Sequence, residues 1–242
     1  AEKILYKEIN GEILAVINIC EHEWSIATKT AGGSAPLNLI TNVHKIAEAK
    51  KNADYVLVIV HGGTEHYQLP TPRMKATYRF FIEAGADVVI NHHQHCYSGY
   101  EEFNGKIIYY GLGNFCFDKN RPNDSLWNEG YAVEINLNKN SITYTILPYI
   151  QCAKNPKVTF IKETTDFEYE INKLNKIILN DNILFDEFIN MSKRKSFLIY
   201  LEPYNTKWLR KLKSKGLLPS FINRYKKNVI LNLFRCEAHR DV

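Results

Sequence analysis

Apolar and polar positions along the first 150 residues follow two alternating periods. Residues 12–20, with ILAVINIC after the Gly11–Glu12 turn, read as a buried strand. From Pro36 the apolar positions Leu37, Ile40, Val43, Ile46 and Ala47 recur at helical spacing and predict a helix of about four turns. YVLVIV at 55–60 is a continuous apolar run of strand length, the pattern of a parallel strand covered on both faces. Pro72 opens a second helix carrying Met74, Tyr78, Phe81 and Ile82, and Gly85 stops it. DVVIN at 87–91 is the next buried strand. Strand, helix, strand, helix, strand is a βαβ series, so the pattern predicts a mainly parallel sheet with helices on its faces.

Beyond residue 95 the rhythm changes. YEEF, then Asn104–Gly105, then KIIYY is a hairpin signal, since Asn-Gly suits the positive φ values of a type I′ turn. YAVEINL and SITYTIL around Asn138–Lys139–Asn140 predict a second hairpin, expected to complete the same sheet near residue 150. From about 166 the pattern is helical, interrupted at Pro203 and Pro219. The fold expected is α/β, with an α/β domain over 1–155 and a helical, basic region over 156–242. No internal repeat is visible.

Composition narrows this picture little. The chain of 242 residues is 45% hydrophobic and 24% charged, values of an ordinary globular protein. No apolar run approaches the roughly 18 residues of a membrane span. The first residue is Ala rather than Met, which reads as processing or truncation. Five scattered cysteines without CxxC spacing exclude a zinc ribbon or disulfide framework and are expected to be mostly buried thiols.

Charge is more informative because it is uneven. From Lys193 onward there are thirteen Lys and Arg against three Asp and Glu, so the formal +5 divides into +10 there and −5 in the remainder. Such a region suits an anionic partner. In FINRYKKNVILNLF, however, Phe221, Ile222, Tyr225, Val229 and Leu233 form a helical stripe with the lysines outside it, which is the pattern of a helix packed on a domain.

Candidate chemistry gathers after three predicted strands, at the sheet edge where α/β proteins bind ligands. His61 follows VLVIV and leads Gly62, Gly63, Glu65 and His66. His92, His93 and His95 follow DVVIN as NHHQH. Gly111, Gly113 and Asn114 follow KIIYY. Neutral imidazoles bind zinc, manganese, iron and nickel, and carboxylates add charge. If strand geometry persists, His93 and His95 project to one side and His92 to the other. His93 and His95 then face a metal with His61, while His92 takes a substrate or supporting role. His66 stands between surface and site, and Asn114 between turn and site. His22, His44 and His239 are read as ordinary hydrogen-bonded histidines. The glycines fit neither a Walker loop nor a Rossmann fingerprint, which excludes a nucleotide cofactor on spacing.

The stretches ADYVLVIVHGGTE, PTPRMKATYRFFIEAGADVVINHHQH and NGKIIYYGLGNFCFD, together with the sequence from about residue 8 to 150, resemble the CapA/PgsA family of bacterial capsule and poly-γ-glutamate synthesis proteins. The family pattern is H-x-G-x-E, then G-A-D-x-V-x-G-H-H-x-H, then Y-x-L-G-N-F; here Asn91 stands where Gly is usual. The resemblance implies a calcineurin-like metallophosphoesterase fold, a mixed sheet with flanking helices. It implies a divalent-metal centre (Mn, Zn or Fe) held by His61, His93 and His95, with Glu65 a further site residue. The family's domain starts earlier, with a metal-binding Asp and an Asn-His segment that have no equivalent before residue 12. This chain is therefore expected to be the C-terminal portion of the domain, with an incomplete binuclear centre, from a bacterial protein of the cytoplasm or envelope periphery.

Two functions stay open. One is a metal-dependent hydrolase acting on a phosphoester or an anionic envelope polymer, with His92 or Glu65 handling protons and His66 and Asn114 meeting substrate. The other is a non-catalytic component that binds polyanion or other capsule-synthesis subunits. No nucleic-acid motif accompanies the basic residues.

Overall fold

A computed structural model of the chain describes residues 2–21, 26–117, 125–139, 141–152, 155–201 and 212, with side chains in the last helix through Lys193. The chain divides into two compact units, Ala1–Ile189 and Asn190–Val242. His22, His239 and the expected stripe from Phe221 to Leu233 lie outside the described residues.

The first unit is a mixed α/β structure. Strands β1 (Leu5–Ile9), β2 (Glu12–Cys20), β3 (Tyr55–His61), β4 (Val88–His92), β5 (Tyr100–Phe103) and β6 (Lys106–Tyr109) form one sheet in the order β1-β2-β3-β4-β6-β5. Neighbours from β2 to β6 run parallel, and β1 and β5 are antiparallel edges. Helix α1 (Leu39–Asn52) joins β2 to β3, and α2 (Pro72–Glu83) joins β3 to β4. Helix α1 begins three residues later than its apolar pattern suggests. Pro36 is extended beside Cys20, and the Asn38 side chain caps the helix by accepting from Thr41 N at 3.1 Å. Thr71 caps α2 in the same way, with Pro72 in the first turn.

Continuous apolar strands need cover on both faces, and the two covers differ in kind. On one face Val56, Val58, Val60, Val89 and Ile108 meet Ile46 and Ala49 of α1 and Met74, Tyr78, Phe81 and Ile82 of α2. The opposite face, carrying Val88, Ile90, Ile107 and Tyr109, meets a second sheet, with Phe167 and Ile171 of a later helix at its side. That sheet contains β7 (Glu129–Asn138), β8 (Ser141–Gln151) and β9 (Val158–Phe160), all antiparallel, after a short helix α3 (Ser125–Asn128). The second hairpin therefore does not extend the first sheet, as its sequence suggested. Its alternating inward residues Tyr131, Val133, Ile135, Ile142, Tyr144 and Ile146 pack face to face on that sheet instead.

Helix α4 (Thr165–Leu179) closes the side next to β5, placing Phe167 and Ile171 in one core and Ile178 in the other. Asn175 Oδ1 accepts from Tyr100 N at 2.8 Å. Helix α5 (Asp181–Leu201) follows directly, and its Leu184 is buried in the same core as Ile178. Buried Lys75 of α2 donates to the Ile178 carbonyl and, at 2.6 Å, to Asp181. No described helix is long and apolar enough to cross a membrane.

Candidate metal site at the carboxyl edge of the sheet

Because β2, β3, β4 and β6 are parallel, their carboxyl ends share one edge, and the candidate residues follow from those ends. The ladder runs one step past the strands: Glu21 N donates to His61 O, and Gly62 N donates to His92 O, both at 2.9 Å. These bonds fix the starting points of the loops that carry the histidines.

Strand geometry ends at His92, so the expected strand alternation of His93 and His95 does not apply. His93 has φ 113°, and His95 and His66 each have φ 57°. A bulky residue there costs about 1–3 kcal/mol, and such strain concentrates at functional sites. These turns place His61 Nε2 and His93 Nδ1 3.1 Å apart. The His93 and His95 rings lie 6.1 Å apart, and those of His95 and His66 6.2 Å.

Hydrogen bonding sets the tautomer of His95. Asn114 Nδ2 donates to His95 O and Trp127 O, so its Oδ1 must accept, at 2.8 Å, from a proton on His95 Nδ1. The bare lone pair of His95 then sits on Nε2, as in ligating histidines oriented by a neighbouring amide or carbonyl. The ring also stacks on Trp127 and meets the edge of Phe117. Asn114 is thus buried and holds a histidine, which makes it more than a turn former.

Beneath the loops lies a buried amide pair. Asn91 Nδ2 is within 2.9–3.1 Å of Gly62 O, Gln94 Oε1 and Tyr110 O, and its Oδ1 accepts from Tyr78 at 2.6 Å. Gln94 carries the link on, its Nε2 donating to Tyr67 O and its backbone carbonyl accepting from His66 N. One side chain at position 91 therefore ties together the loops after β3, β4 and β6.

His92 pairs in register with His61, and burial, aided by the charge of His61, pulls its pKa below the ordinary value. Glu65 and His66 are exposed on the loop after β3. A cleft of about 520 Å³ opens beside His61, lined by Asn18, Cys20, Ser34 and neighbouring residues.

Residues 1–119 match the family model for the bacterial capsule synthesis protein PGA_cap. Over those residues the chain belongs to this capsule-synthesis family. It is 36% identical over 124 residues to the capsule biosynthesis protein CapA of Bacillus anthracis, covering 49% of this chain and 30% of that protein. It is 35% identical over 143 residues to the PGA biosynthesis protein CapA of Bacillus subtilis (strain 168), covering 57% of this chain and 36% of that one. The chain thus spans about a third of the length of these curated relatives. Among solved structures, a hypothetical protein from Thermus thermophilus aligns with a TM-score of 0.37 and 16% identity, over 60% of this chain and 61% of that one.

The capsule-synthesis region can be tested for its fit to a metal. Two nitrogens bound to one ion at about 2.0–2.1 Å lie roughly 2.8–3.4 Å apart, for angles between square and tetrahedral. The His61–His93 separation of 3.1 Å falls in that range, so the pair fits two corners of a coordination shell. Among the described residues, no three His, Cys, Asp or Glu converge as a complete ligand set.

One member of this edge escaped the sequence reading. Glu21 follows β2, a parallel strand ending at the same edge, yet only the three strands followed by histidine or glycine motifs drew notice. Its Oε2 accepts from Gly63 N at 2.9 Å and its Oε1 from Arg73. Burial pushes its carboxyl upward, but the Gly63 bond, Arg73 and His93 together outweigh this and hold its pKa below the usual value. Trp127, the stacking partner of His95, gave no sequence signal because it comes from a segment more than thirty residues further along.

Proposed function

We propose that this part of a capsule-synthesis protein carries a divalent-metal-dependent hydrolytic site, with His61, His93 and His95 as ligands. The observation that carries the reading is the 3.1 Å approach of His61 Nε2 to His93 Nδ1, held by backbone that is strained at His93. Mn, Zn or Fe suits imidazole donors. A bound ion of this kind supplies a water of lowered pKa and polarises a phosphoryl or carbonyl oxygen. His95 is oriented for ligation by Asn114. His92 and Glu65 are the proton-handling groups, and the exposed His66 meets a phosphoester or an anionic envelope polymer such as poly-γ-glutamate, whereas the buried Asn114, expected to meet substrate, instead serves the site through His95. A cleft of about 520 Å³ beside His61 is large enough for a substrate group of this class.

Calorimetric titration with Mn²⁺ and Zn²⁺ tests the ligand set. The parent protein and His44→Ala should bind, whereas His61→Ala and His93→Ala should lose affinity by about a hundredfold or more. Equal binding in all four removes the assignment. Hydrolysis of a phosphomonoester and of poly-γ-glutamate by the loaded protein then separates the two substrate classes.

The lack of a converged three-ligand set among the described residues favours a second reading, a non-catalytic assembly component that binds polyanion or partner subunits. Metal-independent, salt-sensitive binding of poly-γ-glutamate without turnover is its expected signature.

A further inference from the structure

We propose that Phe117, with Phe115 and Phe160 beyond it, seats an uncharged ring, so that the histidine edge takes a phosphoester of a ring-bearing alcohol rather than an anionic polymer. The proposal rests on the reading above only in placing the phosphoryl group at the histidines. Phe115 and Phe117 follow Asn114 in the chain, and Phe160 pairs in register with Tyr149 at the end of the second sheet. Tyr149 and Gln151 lie two residues apart on one face of β8, and both are buried. Gln151 Oε1 accepts from Phe117 N at 2.9 Å, and its Nε2 donates to Trp127 O at 3.2 Å. Tyr149 meets the Phe115 and Phe160 rings at right angles, with centroids 5.3 and 6.2 Å away. The Phe117 ring stands perpendicular to that of His95, 5.2 Å away, and 5.3 Å from that of Trp127. The phenylalanines are thus continuous with the histidine edge.

Three aromatic rings would ordinarily be buried. Phe115, Phe117 and Phe160 instead stay 56%, 42% and 52% exposed, although each leans on a buried aromatic, Tyr149 or Trp127. Rings anchored in this way lose little freedom on binding and offer a flat apolar contact. Stacking of a planar ring on such a side chain strengthens binding by about tenfold. A polymer of carboxylates gains nothing comparable, because phenylalanine supplies neither a cation nor a hydrogen-bond donor. The alternative is a structural role, in which Phe117 only steadies His95.

Phenyl phosphate and methyl phosphate separate these roles, because they share the phosphoryl group and differ in the ring. Each is titrated calorimetrically, with and without added Mn²⁺, into the parent protein, Phe117→Ala, Phe117→Leu and Phe117→Tyr, with thermal melts of each. The parent is expected to bind phenyl phosphate about tenfold more tightly than methyl phosphate. Phe117→Ala and Phe117→Leu should lose that preference, and Phe117→Tyr should keep it. Equal affinity of the parent for the two phosphates, or an equal fall for both in Phe117→Ala, overturns the ring seat and leaves the phosphoester reading standing. Failure of the parent to bind either phosphate, while it binds poly-γ-glutamate or nothing, overturns both. Should Phe117→Ala unfold, Phe117→Leu decides, since it keeps an apolar side chain without the ring.

Discussion

Two polar clusters, one buried and one open to solvent, occupy opposite ends of the same parallel strands, and they are built to different rules. At the amino end, Asp87 accepts from Lys50 at 2.9 Å, Lys106 at 2.5 Å and Val56 N at 2.9 Å, joining α1, β3, β4 and β6. The positive φ nearest to it is that of Gly85, two residues before, which glycine adopts without strain. At the carboxyl end, His66, His93 and His95 have positive φ, His93 points a nitrogen at His61, and His95 points one at the amide of Asn114. The first cluster satisfies its charge within the protein. The second holds donors in costly conformations, with one imidazole facing another of the same kind. Strain and donor type, more than burial, set this end apart, and it is the end at which the metal proposed above would bind.

The comparison predicts separable effects. The largest on stability is expected for Asp87→Ala. Breaking a buried ion pair costs about 3–5 kcal/mol, reduced here to roughly 2–4 because both lysines regain water. Metal affinity should not change, and a parallel loss of metal binding in the folded variant would merge the two ends into one network. Asn91→Gly, the residue usual in the resembled family, should act on both properties. It strips the Tyr78 hydroxyl and three acceptors of their shared partner, at about 2–3 kcal/mol by urea denaturation. Metal affinity should weaken about tenfold as the loops loosen, and an unchanged affinity would show that Asn91 supports the fold alone.

His93→Gly should separate the properties in the opposite sense. Glycine relieves the φ of 113°, so stability should rise by about 0.5–1 kcal/mol while metal binding is lost. A destabilised variant would mean that His93 contributes packing that outweighs its strain. The smallest effect concerns Asp181, whose pKa the Lys75 hydrogen bond and charge hold below the usual value. A depressed folded pKa contributes stability above the unfolded pKa and loses it as pH falls through the folded one. The stability difference between the parent and Asp181→Asn should therefore be present at pH 6 and shrink as the pH falls below the ordinary carboxylate range. A difference that grows on acidification would contradict the sign.

Much of this architecture is legible in the residues because local pattern and global fold agree. The runs 12–20, 55–60 and 87–91 became adjacent parallel strands, since long apolar strands demand cover on both faces. Asn104 and Gly105 take φ 52° and 70°, as a type I′ turn requires. Convergence of the loops after β3, β4 and β6 follows from parallel order alone. What the sequence did not disclose depends on closure in three dimensions. Whether a hairpin extends a sheet or stacks on it is set by which faces remain uncovered, and β7 and β8 filled a face for which helices were expected. The pleat argument for His93 and His95 failed because β4 ends one residue earlier and left-handed turns take over. Glu21 was hidden by its neighbours: the CEHE segment offers several acidic and histidine candidates, and only the room left by Gly62 singles one out.

Helix α4 and the start of α5 give the chain a schedule as well as a shape. Lys75 must find Ile178, which lies 103 residues downstream, and Leu184 and Ile178 fill the same core as α2. A nascent chain can pair β2, β3 and β4 as soon as they emerge, yet the apolar face beneath α2 stays open until residue 184 has been made. At ordinary synthesis rates of about 5–20 residues per second, that interval lasts roughly 5–20 s. During it the face that Ile178 and Leu184 will seal is available to any passing apolar surface. Early termination within α4 would prolong that exposure indefinitely, so aggregation of nascent or truncated chains, rather than loss of the histidine edge, is the failure this topology invites.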